Sequence, residues 1–240
     1  MLADQGELSL NDDIHKYILE LPDFDKVITL RHLLNHTSGL RDQWDLWVMS
    51  GGLMDDVIRQ EDLLRLVEGQ RELNFEPGTQ WLYSNTNYFL ISQIVEKVTG
   101  QSLKVWSEEN IFRPLGMKNT HFHDDHAHIV PLRADGYSPR DEGGFRIDMT
   151  ILDHVGDGGV YTTVEDLFLW HQNFAENLLG KGGPDLIELV TTPASFRTVM
   201  TPAMVSASAS RPIEASPSRP GLAGAFVGFF GVCFPPVPPP

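Results

Sequence analysis

Two stretches of this 240-residue chain carry residue types and spacings that suit chemistry. The first is HFHDDHAH, 121–128, with four of the nine histidines and two aspartates in eight residues. Its first six residues read His-x-His-x-Asp-His, so His121, His123, Asp125 and His126 are candidate ligands. Imidazoles and carboxylates so spaced can hold zinc and activate water. The second is Tyr83-Ser84-Asn85, just before a helix signal. In an extended segment, residues two apart point the same way. Tyr83 and Asn85 then face one pocket and Ser84 faces away. A phenol relays protons if a nearby cation lowers its pKa from about 10. A carboxamide both donates to and accepts from an amide or ester. Taken alone, such a tripeptide more commonly marks a turn with a helix cap.

The elements that must hold these residues are mostly helical. Leu30, Leu33 and Leu34 sit at helical spacing after Thr29, a predicted N-cap. EDLLRLVE, 61–68, predicts a second helix. The strongest pattern follows the Tyr-Ser-Asn: Ile91, Ile94, Val95 and Val98 make one apolar stripe, and Gly100 stops it. Thr163 with Asp166 three later predicts a capped helix whose apolar face is Val164, Leu167 and Phe168. Pro and Gly punctuate between these elements. Strand signals are few, with GGVYTT, 158–163, the best.

With 41% hydrophobic residues, the chain can build a real core. Its formal charge of −15 repels phosphate backbones, so nucleic acid is not an expected partner. One cysteine excludes an internal disulfide and a Cys-rich metal site. The longest weakly polar run, GLAGAFVGFFGVCF, has 14 residues, short of the ~20 a membrane span needs. The start, MLADQGELSL, lacks the basic and apolar regions of a signal peptide, so either the protein is cytoplasmic or the true N-terminus is missing. Residues 1–195 read as one globular unit. From about residue 196 the character changes, and nine of the sixteen prolines fall in the last 39 residues. That composition predicts a disordered or frame-shifted tail over 196–240.

Five blocks occur in a telling order: HLLNHTSGL (32–40), EPGTQWLYSNTNY (76–88), VTGQSL (98–103), IFRPLGMKNTHF (111–122) and GDGGVYTTVEDL (156–167). Together they resemble the serine β-lactamase and penicillin-binding protein superfamily, in its class C and carboxylesterase-like branch. That branch carries Tyr-Ser/Ala-Asn as the middle of three catalytic boxes. The resemblance implies an α+β, β-lactamase/transpeptidase-like fold, present here mainly as its helical domain with the antiparallel sheet largely missing. It implies a serine hydrolase that cleaves ester, amide or β-lactam bonds of a small-molecule or peptide-like substrate through an acyl-serine and needs no cofactor. Tyr83 becomes the expected general base and acid, and Asn85 the group that holds the substrate amide or a lysine.

The first box, Ser-x-x-Lys, is absent. The residues three before Lys16, Lys26, Lys97, Lys104, Lys118 and Lys181 are Asp13, Asp23, Ile94, Gln101, Leu115 and Leu178. The third box, Lys-Thr-Gly or His-x-Gly, is absent too. The chain is therefore expected to begin just past the nucleophile and to be inactive as it stands. The alternatives are a zinc metallohydrolase built on 121–126 and a non-catalytic binding remnant. In metallo-β-lactamase-type hydrolases the His cluster follows a buried strand, whereas here it follows the turn RPLGMKNT. His154 and His171 are the only later histidines that could complete such a site. His36 reads as a hydrogen-bonded turn residue. Trp44, Trp47 and Trp81 suit either a cleft wall or a core under a loop. Residues 45–60 suit either a lid or a plain connection. Asp12–Asp13 and Asp55–Asp56 read as solvated faces.

Overall fold

The computed structural model describes residues 1–149, 151–179, 185–192 and 231–232. Helices dominate the first half: α1 (Leu30–Leu34), α2 (Gln43–Met49), α3 (Gln60–Glu68) and α4 (Asn85–Thr99). Between α2 and α3 runs a short strand, β1 (Val57–Arg59). The next group is α5 (Leu103–Ser107), a π-helical turn (Glu108–Phe112) and α6 (Arg113–Leu115). Strands β2 (His121–Phe122), β3 (Tyr137–Pro139), β4 (Phe145–Ile147), β5 (Ile151–Asp153) and β6 (Val160–Thr162) then lead to α7 (Val164–Glu176) and α8 (Asp185–Thr191).

The caps explain where these helices start and stop. Thr29 accepts from the His32 backbone N–H at 3.2 Å, and the His32 ring accepts from the Thr29 N–H in return. Two orphan donors at the head of α1 are thereby satisfied. Thr163 accepts from the Asp166 N–H at 3.3 Å, as expected for α7. Gly100 closes α4 with φ 70°, a left-handed geometry that glycine adopts at no steric cost.

The main core lies around α4. Phe89, Leu90 and Ile94 are fully buried against Leu33, Leu63, Ile58 and Ile14. The expected stripe is correct at Ile94 and Val95 but is turned: Ile91 and Val98 lie half-buried at its rim, and Phe89 and Leu90 take the centre. Those two side chains share the buried cluster with Leu30 and Leu33 of α1 and Leu63 and Val67 of α3. The expected face of α7 is corrected more strongly. Val164 is 46% and Phe168 59% exposed. The inward residue is instead Asp166, whose carboxylate accepts from Asn119 N–H and Thr120 Oγ1 at 2.7 and 2.8 Å. That side of α7 packs on a polar seam, while Leu169 and Trp170 meet a second small core of Phe112, Leu115, Met117 and Leu179.

The strands pair in small sets of two or three residues each. β1 runs parallel to β5, and β2–β6 and β3–β4 are antiparallel. GGVYTT does form a strand, β6; the other short strands carry no period long enough to read. The expectation for the tail, 196–240, lies outside the described residues apart from Gly231–Val232, a strand β7 parallel to Tyr161–Thr162. Among the described residues no helix is long and apolar enough to cross a membrane. Asp12 and Asp13 are not merely solvated. Asp12 accepts from Ser9 N–H, Lys16 and Tyr17, and Asp13 caps the 3-10 turn at Ile14.

Candidate active site

Tyr83 and Asn85 do share one side. The Tyr83 hydroxyl donates to Asn85 Oδ1 at 3.3 Å. Ser84 between them is buried, facing away. The third member of this group is Asp42, the N-cap of α2, which no local pattern predicts. Its Oδ1 accepts from the Trp44 N–H at 2.8 Å. Its Oδ2 accepts from both the backbone N–H and the Nδ2 of Asn85, at 2.6 and 2.7 Å. A carboxylate only accepts, so this clamp settles which end of the amide is which. The Asn85 nitrogen faces Asp42 and its oxygen faces Tyr83.

The loop that presents them is stitched to residues 34–42. Thr86 Oγ1 donates to the Arg41 carbonyl at 2.7 Å, and Tyr88 donates to the Leu34 carbonyl at 3.2 Å. Ser38 donates to Asn87 Oδ1 at 2.6 Å, wholly buried. Residues 73–82 run alongside, with Asn74, Gly78 and Leu82 N–H groups bonding the carbonyls of Gly39, Thr37 and His36. Gly39 is required here: its φ is 80°, and a Cβ would stand 2.2 Å from the Phe75 carbonyl oxygen. The blocks HTSGL and YSNTNY are thus two halves of one scaffold.

His36 is the bolt of that scaffold, a turn histidine as expected. It has φ 55°, is buried, and accepts the Ser84 N–H on Nδ1 at 3.2 Å. Its ring lies 4.5 Å from the Tyr83 ring and 5.2 Å from that of Tyr88. Burial pushes its pKa down to about 4. The unfolded chain takes up this proton near pH 6.5 and the folded chain does not, so stability is lost as pH falls from 6.5 towards 4. The ceiling on that loss is ~3 kcal/mol, from about 2.5 pKa units at 1.36 kcal/mol each. We expect urea unfolding at pH 7 and pH 4.5 to show a drop of that order, and His36→Gln to show a clearly smaller one.

Burial also pushes the Tyr83 pKa up to about 12, with the carboxylates of Asp157 and Asp42 adding to it. At neutral pH the phenol is therefore a proton donor. Asp157 is itself buried below the loop. Its Oδ2 accepts from Gln43 Nε2 at 2.8 Å, and its Oδ1 lies 3.2 Å from His154 Nε2. Gln43, His154 and Asp157 are a buried layer that sequence spacing could not have assembled, because Gln43 and Asp157 are 114 residues apart.

The His-rich stretch does not gather its four expected ligands. His121 stacks on Tyr161 at 5.7 Å, and His123 packs against the same ring at 4.6 Å. His126 turns to Asp153. Of the later histidines, His154 faces Asp157 at 3.2 Å and the Ile58 carbonyl at 3.3 Å, and His171 is exposed on α7. Trp44 and Trp47 pack on the main core, and Trp81 stays half-exposed 6.4 Å from His36. The 45–60 segment is an ordered connection, tethered where Trp47 Nε1 donates to the Leu53 carbonyl at 3.0 Å.

Residues 1–220 match the family model for β-lactamases. The chain belongs to the β-lactamase family. Among the relatives of this β-lactamase-family chain, the D-aminopeptidase of Gluconobacter oxydans is 31% identical over 166 residues, covering 69% of this chain and 31% of that protein. Penicillin-binding protein 4* of Bacillus subtilis is 31% identical over 185 residues, 72% of this chain and 40% of that protein. The structure of an octameric penicillin-binding protein homologue from Pyrococcus abyssi superposes with TM-score 0.66 at 27% identity, over 80% of this chain and 44% of that one. The family chain thus spans less than half the length of these relatives. The mixed helix-and-strand fold agrees with the β-lactamase/transpeptidase-like class.

Proposed function

We propose that this chain forms the Tyr-x-Asn wall of a serine-type acyl-transfer site that cleaves amide, ester or β-lactam bonds. The observation that supports it most is the Asp42-clamped Asn85, with its oxygen on the Tyr83 hydroxyl. Such a pair is preorganised: the carboxamide is aimed before substrate arrives, and the phenol is held at bonding distance from it. The 31% identity to a D-aminopeptidase favours the amide of a D-amino acid as the substrate class.

Acyl transfer needs a proton taken from the attacking hydroxyl and later given to the leaving group. A phenol raised to about 12 stays protonated at neutral pH, and it can take a proton from the nucleophile only when a nearby cation stabilises its anion. The family resemblance assigns that cation to the lysine of Ser-x-x-Lys, and none of the six lysines here has a serine three before it. We therefore expect the purified 240-residue chain to hydrolyse nitrocefin, p-nitrophenyl acetate and D-alanine p-nitroanilide no faster than its Tyr83→Phe variant. Turnover well above that variant would show that another nucleophile serves.

A further inference from the structure

We propose that Asp125, His126 and Asp153 bind a divalent transition-metal ion of the zinc class. Their ligand atoms all lie within 4.8 Å of one another, so a small rotation of the exposed Asp125 and His126 side chains brings all three to the ~2.0–2.2 Å that one ion requires. They come from two elements. The turn 125–128 leaves β2, and Asp153 ends β5. His126 commits both its backbone N–H and its Nδ1 to the Asp153 carboxylate, at 2.8 and 2.9 Å.

A second observation, independent of this trio, points to a ligand. His126 borders a cavity of about 480 Å³ that is also lined by His123, Asp55, Asp135, Arg133 and Tyr161. His123 is 5% exposed, and its buried Nε2 has no hydrogen-bond partner among the described residues. A lone pair kept dry and unpaired in this way costs free energy unless something positive meets it. An ion held at His126, on the wall of the same cavity, would give that nitrogen a partner through its bound water.

The chemistry selects the ion. One imidazole with two carboxylates is a donor set for zinc, nickel or cobalt, whereas calcium and magnesium take oxygen alone. Two carboxylates neutralise the divalent charge, and Asp55 on the cavity wall adds attraction. Arg133 opposes it but is paired with Asp135 at 3.6 Å. On binding, the metal takes the Nδ1 position and the single proton of a neutral ring moves to Nε2, so the ring releases none. The ion would fasten the 125–128 turn to β5. This is not the His-x-His-x-Asp-His arrangement, because His121 takes no part.

The test is calorimetric titration of the untagged chain with zinc chloride, repeated with cobalt to read its visible spectrum. We expect one ion per chain and a rise in Tm on adding zinc. His126→Ala and Asp153→Asn should each weaken binding at least tenfold, and His121→Ala should change it less than threefold. If the Asp153 variant misfolds, Asp125→Asn, at an exposed position, takes its place and should weaken binding to the same degree. Several weak ions per chain, unmoved by these variants, would mean adventitious binding and would overturn the site. So would tight binding lost in His121→Ala and kept in His126→Ala.

Discussion

Replacing Tyr83 by Phe lowers kcat by 10²- to 10⁴-fold, with KM moved only a few-fold, once this wall is placed in a complete enzyme. That range is the usual worth of one positioned proton-transfer group. The measurement uses a chimera in which the matching segment of the Gluconobacter oxydans D-aminopeptidase is replaced by this chain's, assayed with D-alanine p-nitroanilide. The phenylalanine keeps the ring contact with His36 and removes only the hydroxyl that bonds Asn85. A kcat-dominated loss is the mark of an interaction made in the transition state alone. Asn85→Ala should behave differently and raise KM as well, because a carboxamide that holds the substrate contributes before and during the chemistry. An unchanged kcat in the Tyr83 variant would leave the phenol as a structural hydrogen-bond donor.

Much of this arrangement was legible because it is local. Thr29, Thr163 and Gly100 act within one turn of where they stand, and the geometry of caps is set by the chain itself. The shared side of Tyr83 and Asn85 follows from extended backbone, which needs no partner to be true. What escaped was long-range. Asp42 reaches Asn85 across 43 residues, and nothing around Asp42 marks it beyond a helix cap. His154 and His126 look alike in sequence, yet one is buried beneath α4 and the other stands at the surface. The α7 stripe misled for a similar reason. Amphipathic spacing says which residues share a face and leaves open what that face meets, and here the inward partner of α7 is the pair Thr120 and Thr162, which selects Asp166.

The second large effect is expected at Asp157. His154 Nδ1 lies 3.3 Å from the Ile58 carbonyl, an acceptor only, so that nitrogen carries a proton. Nε2 then faces Asp157 Oδ1 at 3.2 Å, with both side chains buried. Asp157→Ala removes the acceptor of Gln43 Nε2 as well, leaving buried polar groups on two sides unpaired. Breaking one partner of such a buried pair costs roughly 3–5 kcal/mol. For a chain of this length that is a fall in Tm of roughly 6–20 °C, at about 2–4 °C per kcal/mol. Asp157→Asn is the control, because its amide nitrogen can donate to Nε2 while its oxygen keeps Gln43, and it should cost far less. It also removes a negative charge that raises Tyr83, so tyrosinate absorbance should appear at lower pH than in the parent chain. A loss from Asp157→Asn as large as that from Asp157→Ala would mean that the charge, and not the pairing, is what the fold requires.

Two neighbours at the head of α2 hold different layers of the site. Asp42 grips Asn85 from the side, and Gln43 grips Asp157 from beneath. Both grips sit on the first turn of one short helix, whose far end opens into the exposed connection of residues 50–56. The two contacts therefore share one short support. Tyr83 depends on the orientation of the carboxamide and on the charge of the buried carboxylate, and both are held by neighbouring residues of that support. Orientation and acidity at this wall are geared to each other, so a change that loosens α2 alters both.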